Sequence, residues 1–317
     1  MFIRLKDHVV IEKDTNYYYF LTRTILKIEK FPYIDEMIHL LINGVDTNIF
    51  EQKFVENTKS NNGTFLLEQL NNLGLLTSFS TEDHSITSRQ LYYLNEFDVD
   101  PTKLQNKLDS SHIVIFGLGG IGSCVLQQLL RVGIRKYTLI DFDVVEKSNL
   151  NRQLLYTPTD IGKRKTDVCK EIITSFYPID NYVHEINKKI IDETDIQNCL
   201  YESTIDFVLI AIDQPNSIIQ EISKFCLEKS IPSIFGGLGI DFGIFQLVDT
   251  ANKPSLFEKK ASRVSIKSEI PKASFGPSNS IIASFIAYDI VHYLIDEPTF
   301  SSNRTIVIDF YKKEMYN

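Results

Sequence analysis

Three glycines, Gly117, Gly119 and Gly122, with Gly120 beside them, interrupt the apolar run HIVIFGLGGIGSCVLQQLLRVGI. A glycine-rich turn between a buried strand and a helix lets a phosphate approach backbone N–H groups at the positive end of the helix. Asp141 closes the next apolar run, YTLIDFD, where a carboxylate commonly hydrogen-bonds a ribose hydroxyl. Asp143 stands two residues further on, placed either to contact the same ligand or to cap the turn. By itself this spacing specifies a nucleotide and suits NAD or FAD as well as ATP.

Charge separates these ligands. A dinucleotide presents about two phosphate charges, which a helix end and its amides handle largely alone. A triphosphate presents about four, and needs fixed cations and usually Mg²⁺ held by a carboxylate. The chain supplies both. SNLNRQLL contributes Asn149 and Arg152, and GKRKTD contributes Lys163, Arg164 and Lys165. Asp213 follows the buried run FVLIAI, so it leaves the carboxyl edge of a sheet, where ligands bind in open α/β folds. An NAD- or FAD-dependent oxidoreductase leaves Arg152, Lys165 and Asp213 without a task. The plain alternative for Arg152 is a surface ion pair.

These residues need elements to hold them. From residue 111 the chain alternates apolar strand runs and amphipathic helix patterns, which predicts an α/β, Rossmann-like, mostly parallel sheet. Strands are expected near VHEINK, DFVLIAID and IPSIFGG, a long helix over GPSNSIIASFIAYDIVHYLID and a final strand in RTIVIDFYKKE. Residues 1–80 read as a separate small α+β domain. FIRL, HVVIE, YYYFL and TILKIEK predict one antiparallel sheet. Ile34, Met37, Ile38 and Leu41 share one helix face, Asp46 or Thr47 caps a second helix, and Leu66, Leu67, Leu70 and Leu73 share the face of a third, stopped by Gly74. LLTSF follows as a possible further strand. Residues 81–110 are polar and read as a linker helix. A crossover loop at about 250–277 carries Lys253, Lys259, Lys260, Arg263, Lys267 and Lys272 against Glu258 and Glu269. It either closes over the site or stands as a solvated loop.

Composition removes other classes. The chain has 317 residues and a formal charge of −8, so no broad basic field favours nucleic acid. No apolar run approaches the roughly 18 residues of a membrane span, and the charged start MFIRLKDHVVIEKD is no secretory signal, which places the protein in the cytoplasm. Cys124, Cys169, Cys199 and Cys226 form no CxxC pair, so no zinc site is expected and all four are read as buried small hydrophobes.

GLGGIGS, LIDFDVVEKSNLNRQ, the lysine of IGKRK and the aspartate of AIDQPNS, in this order, resemble the ThiF/MoeB-type adenylating enzymes of the ubiquitin-activating-enzyme superfamily over about residues 88–310. The resemblance implies that the glycines cradle phosphate, Asp141 holds the ribose, and Asn149 and Arg152 contact the phosphates. It further implies that Lys165 reaches the triphosphate and that Asp213 supports Mg²⁺ and the attack of a carboxylate. SRQLYYLNEF is similar to the segment from which that family sends an arginine into the partner subunit's site. This implies a homodimer completed in trans by Arg89, whose plain alternative is a surface pair with Glu82, Asp83 or Glu96.

Residues 1–80 resemble the PqqD-like, winged-helix-like domains that bind the leader of ribosomally made precursor peptides. Relatives with both domains modify such peptides: microcin C synthases nucleotidylate them, and the pantocin A enzyme cyclises them. Two departures stand out. The zinc-binding CxxC pairs of most relatives are missing, and no cysteine lies beyond Cys226 to take an acyl group. Thioester and sulfur-transfer chemistry lose support, and pantocin-type cyclisation gains over nucleotidylation. The competing reading is a non-catalytic leader-binding partner of a separate modifying enzyme. Retention of the glycines, Asp141, Arg152, Lys165 and Asp213 argues for catalysis.

Overall fold

The computed structural model describes residues 2–22, 24–56, 58, 60–78, 85–98, 100–201, 204–215, 217–250, 274–302 and 304–316. The chain divides into two units, Met1–Gln105 and Asn106–Asn317.

The first unit contains strands β1 (Phe2–Leu5), β2 (Val10–Lys13), β3 (Tyr17–Leu21) and β4 (Ile25–Glu29), then helix α1 (Ile34–Asn43). Strand β5 (Val45–Asp46), helix α2 (Thr47–Glu51), helix α3 (Asn62–Asn72), strand β6 (Leu76–Thr77) and helix α4 (Ser88–Leu94) follow. Helix α5 (Pro101–Ser110) spans the division. Asp46 caps α2, accepting from the Asn48 N–H, and a π-helical turn over Gln52–Glu56 extends it. Tyr18, Phe20, Ile34, Met37, Leu41, Phe50, Phe54, Leu66 and Leu70 form the core.

Three expectations are corrected. The four N-terminal strands do not share a sheet. β2, β3 and β4 form one meander, while β1 lies between β5 and β6 in another. Alternation marks a strand but not its partner, and the chain's return through α1 and α3 brings β5 and β6 to β1. Leu73 is 45% exposed rather than part of the buried face of α3. The helix ends at Asn72, and Gly74 turns left-handed at φ +64°, so the helical period no longer applies. Between residues 81 and 110, where one linker helix was expected, α4 and α5 both bury leucines: Leu91, Leu94 and Leu108.

The second unit is built on one sheet. Its elements are β7 (His112–Phe116), α6 (Gly120–Arg131), β8 (Lys136–Ile140), α7 (Lys165–Phe176), β9 (Tyr182–Ile186), α8 (Glu193–Cys199) and β10 (Phe207–Ile210). They continue with α9 (Ile218–Glu228), β11 (Ser233–Leu238), β12 (Phe242–Val248), α10 (Gly276–Leu294), β13 (Ile306–Asp309) and β14 (Glu314–Tyr316). The sheet order is β14-β13-β12-β11-β10-β7-β8-β9. From β11 to β9 all neighbours are parallel, and from β11 to β14 all are antiparallel.

The fold is therefore the expected mostly parallel α/β sheet with small antiparallel sheets before it. Strand β12 was not anticipated. The predicted final strand is a hairpin, turned at Lys313 with φ +61°. Every residue of β7 and β10 is buried, as expected of parallel strands covered on both faces. The chain runs from β7 outward through β8 and β9, then returns to the other side of β7 with β10 and β11. The carboxyl ends of β7 and β10 thus flank the point where the strand order reverses, the ligand crevice of such sheets. Among the described residues no helix is long and apolar enough to cross a membrane. The basic residues of the crossover loop lie outside the described residues.

Candidate functional site

Strand β7 runs into the glycine turn at Gly117, whose N–H still donates to the Ile140 carbonyl at 2.8 Å. Gly117 holds φ +91°, and a Cβ there would lie 2.6 Å from the Ala211 carbonyl oxygen just past β10. A Cβ on Gly122 would lie 1.9 Å from the Gly117 carbonyl oxygen, so this glycine lets α6 close onto its own turn. A Cβ on Gly120 would meet Asn279 Oδ1 of α10 at 2.1 Å. Gly119, the N-cap of α6, differs: a Cβ built there meets nothing within 4 Å. Backbone packing thus demands glycine at Gly117 and Gly122, while at Gly120 the Asn279 side chain stands in the way. At Gly119 the space is left open in front of a helix N-terminus, as a phosphate cradle requires.

Both polar atoms of Leu118, inside the turn, are held by side chains. Its N–H donates to Asp141 Oδ2 at 2.7 Å. Its carbonyl accepts from the Tyr156 hydroxyl at 2.8 Å. The other Asp141 oxygen accepts from the Asp143 N–H at 2.8 Å. Asp141 is 8% exposed. Burial raises its carboxyl above the ordinary range, against the opposing pull of Lys165 and the two backbone donors. Asp141 therefore sits where a ribose carboxylate is expected, with each oxygen already bonded once to the loop it stabilises. Only the remaining lone pairs are left for a ligand.

Lys165 is 4% exposed, at the start of α7, with Nζ 2.8 Å from Asp143 Oδ2. The sequence pointed this ammonium toward phosphate, and in the structure it is bonded to the second aspartate. Asp143 is thus an ion-pair partner as well as a turn residue. Asn149 is buried in a short 3₁₀ turn and accepts the Glu146 N–H at 2.9 Å, leaving its amide NH₂ without a protein partner among the described residues.

Arg152 is half-buried in the following turn. Its Nη1 donates to the Ser148 carbonyl at 2.8 Å and to Asn151 Oδ1 at 2.9 Å, and no carboxylate pairs with it among the described residues. Its backbone carbonyl lies 3.8 Å from Cys124 Sγ of α6. A Cβ on Gly276, the first residue of α10, would sit 2.6 Å from the Asn151 carbonyl. The Arg152 turn is thus wedged between α6 and α10. Asp213 is exposed and carries no counter-charge among the described residues; it stands two residues past Ala211, whose carbonyl lies against Gly117. Arg89 is exposed on α4 of the first unit and forms no ion pair among the described residues. Glu96 is bonded instead to His8 at 2.9 Å and lies 3.8 Å from Lys6, while Glu82 and Asp83 fall outside the described residues.

Sequence reasoning missed three residues around the turn. Tyr156 gave no signal, since nothing in LLYTPTD marks a hydroxyl aimed 38 residues back. Asn279 was read only as part of a helix. Gln153 follows Arg152 directly and could have been suspected; its Oε1 is buried without a partner among the described residues. An orphaned buried oxygen beside an unpaired guanidinium is unusual in a finished interior and suits a site that a ligand completes. All four cysteines are buried. Burial pushes the Cys169 and Cys226 thiols up to about 12 and Cys199 up to about 11. Among the described residues no three metal-ligating side chains converge.

Among the described residues, then, Arg152 is bonded only to neutral oxygens and Asp213 has no counter-charge, on segments next in sequence to groups that meet the glycine turn. Residues 87–317 match the ThiF family profile. The chain belongs to the ThiF family. The same fold is found over the whole chain in the crystal structure of E. coli MccB with MccA-N7isoASN, with a TM-score of 0.83 and 23% identity, covering 100% of this chain and 96% of that one. E. coli MccB with ATP aligns with a TM-score of 0.79 at 22% identity, again covering 100% and 96%. PaaA aligns with a TM-score of 0.77 at 22% identity, over 98% of this chain and 97% of that one. Within the ThiF part, the tRNA threonylcarbamoyladenosine dehydratase of Haemophilus influenzae is 35% identical over 140 residues. That match spans 42% of this chain and half the length of the relative.

Proposed function

We propose that this chain uses ATP and Mg²⁺ to activate a carboxylate on a ribosomally made precursor peptide. In the proposed step a peptide carboxylate oxygen attacks the α-phosphorus, the bond to pyrophosphate breaks, and an acyl adenylate forms for capture by a nearby nucleophile. A single observation carries the reading: Arg152 and Asp213, on segments that touch the glycine turn, lack a counter-charge among the described residues. An unpaired guanidinium stabilises charge on a transferring phosphoryl group, and an unpaired carboxylate suits Mg²⁺. The open space at Gly119 and the unbonded Gln153 oxygen fit a bound nucleotide. Mg²⁺ would be held by Asp213 with phosphate oxygens and would neutralise the leaving pyrophosphate.

Lys165 supports the same step by offsetting two aspartates that would otherwise repel a triphosphate; direct contact requires it to exchange Asp143 for a phosphate oxygen. Asn149 offers its free amide to the phosphates. Residues 1–80 are assigned to leader recognition, 81–110 to the linker and 111–317 to adenylation. The structures of E. coli MccB with MccA-N7isoASN and with ATP support a peptide and ATP as the two substrates. Four buried thiols and none beyond Cys226 favour direct use of the activated acyl group over a thioester, hence cyclisation or nucleotidylation. The likeness to a tRNA-directed dehydratase raises an RNA carboxylate as the alternative, which a net charge of −8 disfavours.

The test is pyrophosphate release in the presence of a candidate precursor peptide, sought as a short open reading frame neighbouring the gene. Asp213→Asn and Arg152→Ala should each reduce turnover about 10²-fold or more. Near-normal turnover in both variants would remove them from the site.

A further inference from the structure

We infer that Tyr156 is a positioning residue of the phosphate-binding turn, which it orients through the Leu118 carbonyl. This rests on the proposal that the turn binds ATP. The Leu118 carbonyl and the Gly119 N–H belong to one trans peptide, so they point in opposite directions and move together. The Tyr156 hydroxyl holds that carbonyl at 2.8 Å. Holding it fixes the Gly119 N–H on the side away from Tyr156. This N–H opens the first turn of α6, where orphan donors meet an anion.

The hold matters because this peptide is otherwise easy to turn over. Its C-terminal residue is a glycine, and a Cβ at Gly119 would touch nothing within 4 Å. Neither backbone sterics nor packing at that residue opposes rotation of the plane. The peptide before it is pinned independently, since Asp141 accepts the Leu118 N–H at 2.7 Å. Asp141 and Tyr156 therefore constrain successive peptides, and the second is the one whose N–H faces a ligand.

The hydroxyl suits this task. Tyr156 is 5% exposed. Among the described residues its other hydrogen-bonding neighbour is Cys169 Sγ at 3.6 Å, a weak acceptor that can itself donate to the phenol oxygen. The single phenolic proton is thus committed to Leu118. Burial raises the phenol far above its ordinary range, so it stays a donor at any working pH.

The experiment is calorimetric titration of the full chain and of Tyr156→Phe with ATP·Mg²⁺ and, separately, with adenosine. Adenosine has no phosphate and does not use the turn. In the variant, ATP affinity should fall about 5- to 20-fold, the range one buried hydrogen bond commands, with adenosine affinity unchanged. Both ligands report only folded protein, so their ratio remains readable if the variant is partly unfolded. Cys169→Ala, which disturbs the same packing but keeps the Leu118 bond, should retain the wild-type ratio. An unchanged ratio in Tyr156→Phe, a variant that does not fold, or an equal shift in Cys169→Ala would each overturn the positioning role. A wild-type chain that binds no ATP would overturn the nucleotide reading instead.

Discussion

Replacing each glycine of the turn by alanine should separate folding from ligand binding. In Gly122→Ala the new methyl falls 1.9 Å from the Gly117 carbonyl oxygen, backbone that no rotamer change can move. Overpacking of this kind costs about 1–3 kcal/mol or more. Gly117→Ala adds the strain of φ +91° to a 2.6 Å approach to the Ala211 carbonyl oxygen. Ala211 cannot retreat easily, because its N–H is bonded to the Phe116 carbonyl at 2.7 Å. The left-handed conformation alone costs a residue with a Cβ about 1–2 kcal/mol. A loss of about 3 kcal/mol in a unit this size lowers the melting temperature by roughly 6–12 °C. Gly119→Ala is the contrast, with φ −75° and no atom within 4 Å of its Cβ. Its unfolded chain loses entropy, worth about 0.4–1 kcal/mol, and its helix exchanges a good N-cap for a poor one, which costs a similar amount, roughly 0.5–1 kcal/mol. Its melting temperature should therefore stay within about 3 °C of wild type. Its methyl would nevertheless occupy the space open to phosphate, and ATP affinity should fall about tenfold or more. Thermal melts and calorimetric titration with ATP·Mg²⁺ measure both quantities. Wild-type affinity in Gly119→Ala, or wild-type stability in Gly122→Ala, would refute the division of roles.

Other outcomes follow from the same structure. With thiols raised to about 11 and 12 by burial, Cys199, Cys169 and Cys226 hold only a trace of thiolate at pH 8. A chromogenic disulfide should find no fast-reacting cysteine in the native chain and four after unfolding, and a fast native thiol would reopen thioester chemistry. The Asp195 carboxyl is held below its ordinary value of 3.8 by Lys188 and then the Ile191 N–H. Its contribution is complete above about pH 4 and is lost as pH falls through the lowered folded value. The melting-temperature gap between wild type and Asp195→Asn should thus be constant from about pH 5 to 8 and shrink only below about 4, whereas a gap that grows in acid would contradict the sign. If Arg89 serves the partner's site, mixing inactive Arg89→Ala with inactive Asp213→Asn should restore activity, because one site of a mixed dimer holds both intact residues. Full activity in a monomer, or no rescue after demonstrated subunit exchange, would remove Arg89 from the site.

Much of the second unit is legible in the chain. The runs HIVIF, YTLI and FVLI are short, apolar and bounded by glycine or aspartate, and each becomes a buried strand. Glycine spacing placed the turn, because a strand that reverses this tightly into a helix brings backbone against backbone and needs residues without a Cβ. What each side chain does there was decided only by the folded chain. Asp141 and Lys165, read from the sequence as ligand groups, also bond within the protein: Asp141 accepts the Leu118 and Asp143 N–H groups, and Lys165 pairs with Asp143. Tyr156, which nothing in the sequence marked, donates to the Leu118 carbonyl inside the turn. The glycines looked equivalent, and three answer to packing while Gly119 opens outward. The physical reason is range. Strand, helix and turn signals are set by neighbours within a few residues, and those the sequence determines by itself. The Leu118 bonds span 23 and 38 residues, and the contact of Gly120 with Asn279 joins two helices. Such pairings depend on how the sheet brings distant segments together, and only the tertiary structure decides which charges are neutralised and which, like Arg152 and Asp213, have no counter-charge among the described residues.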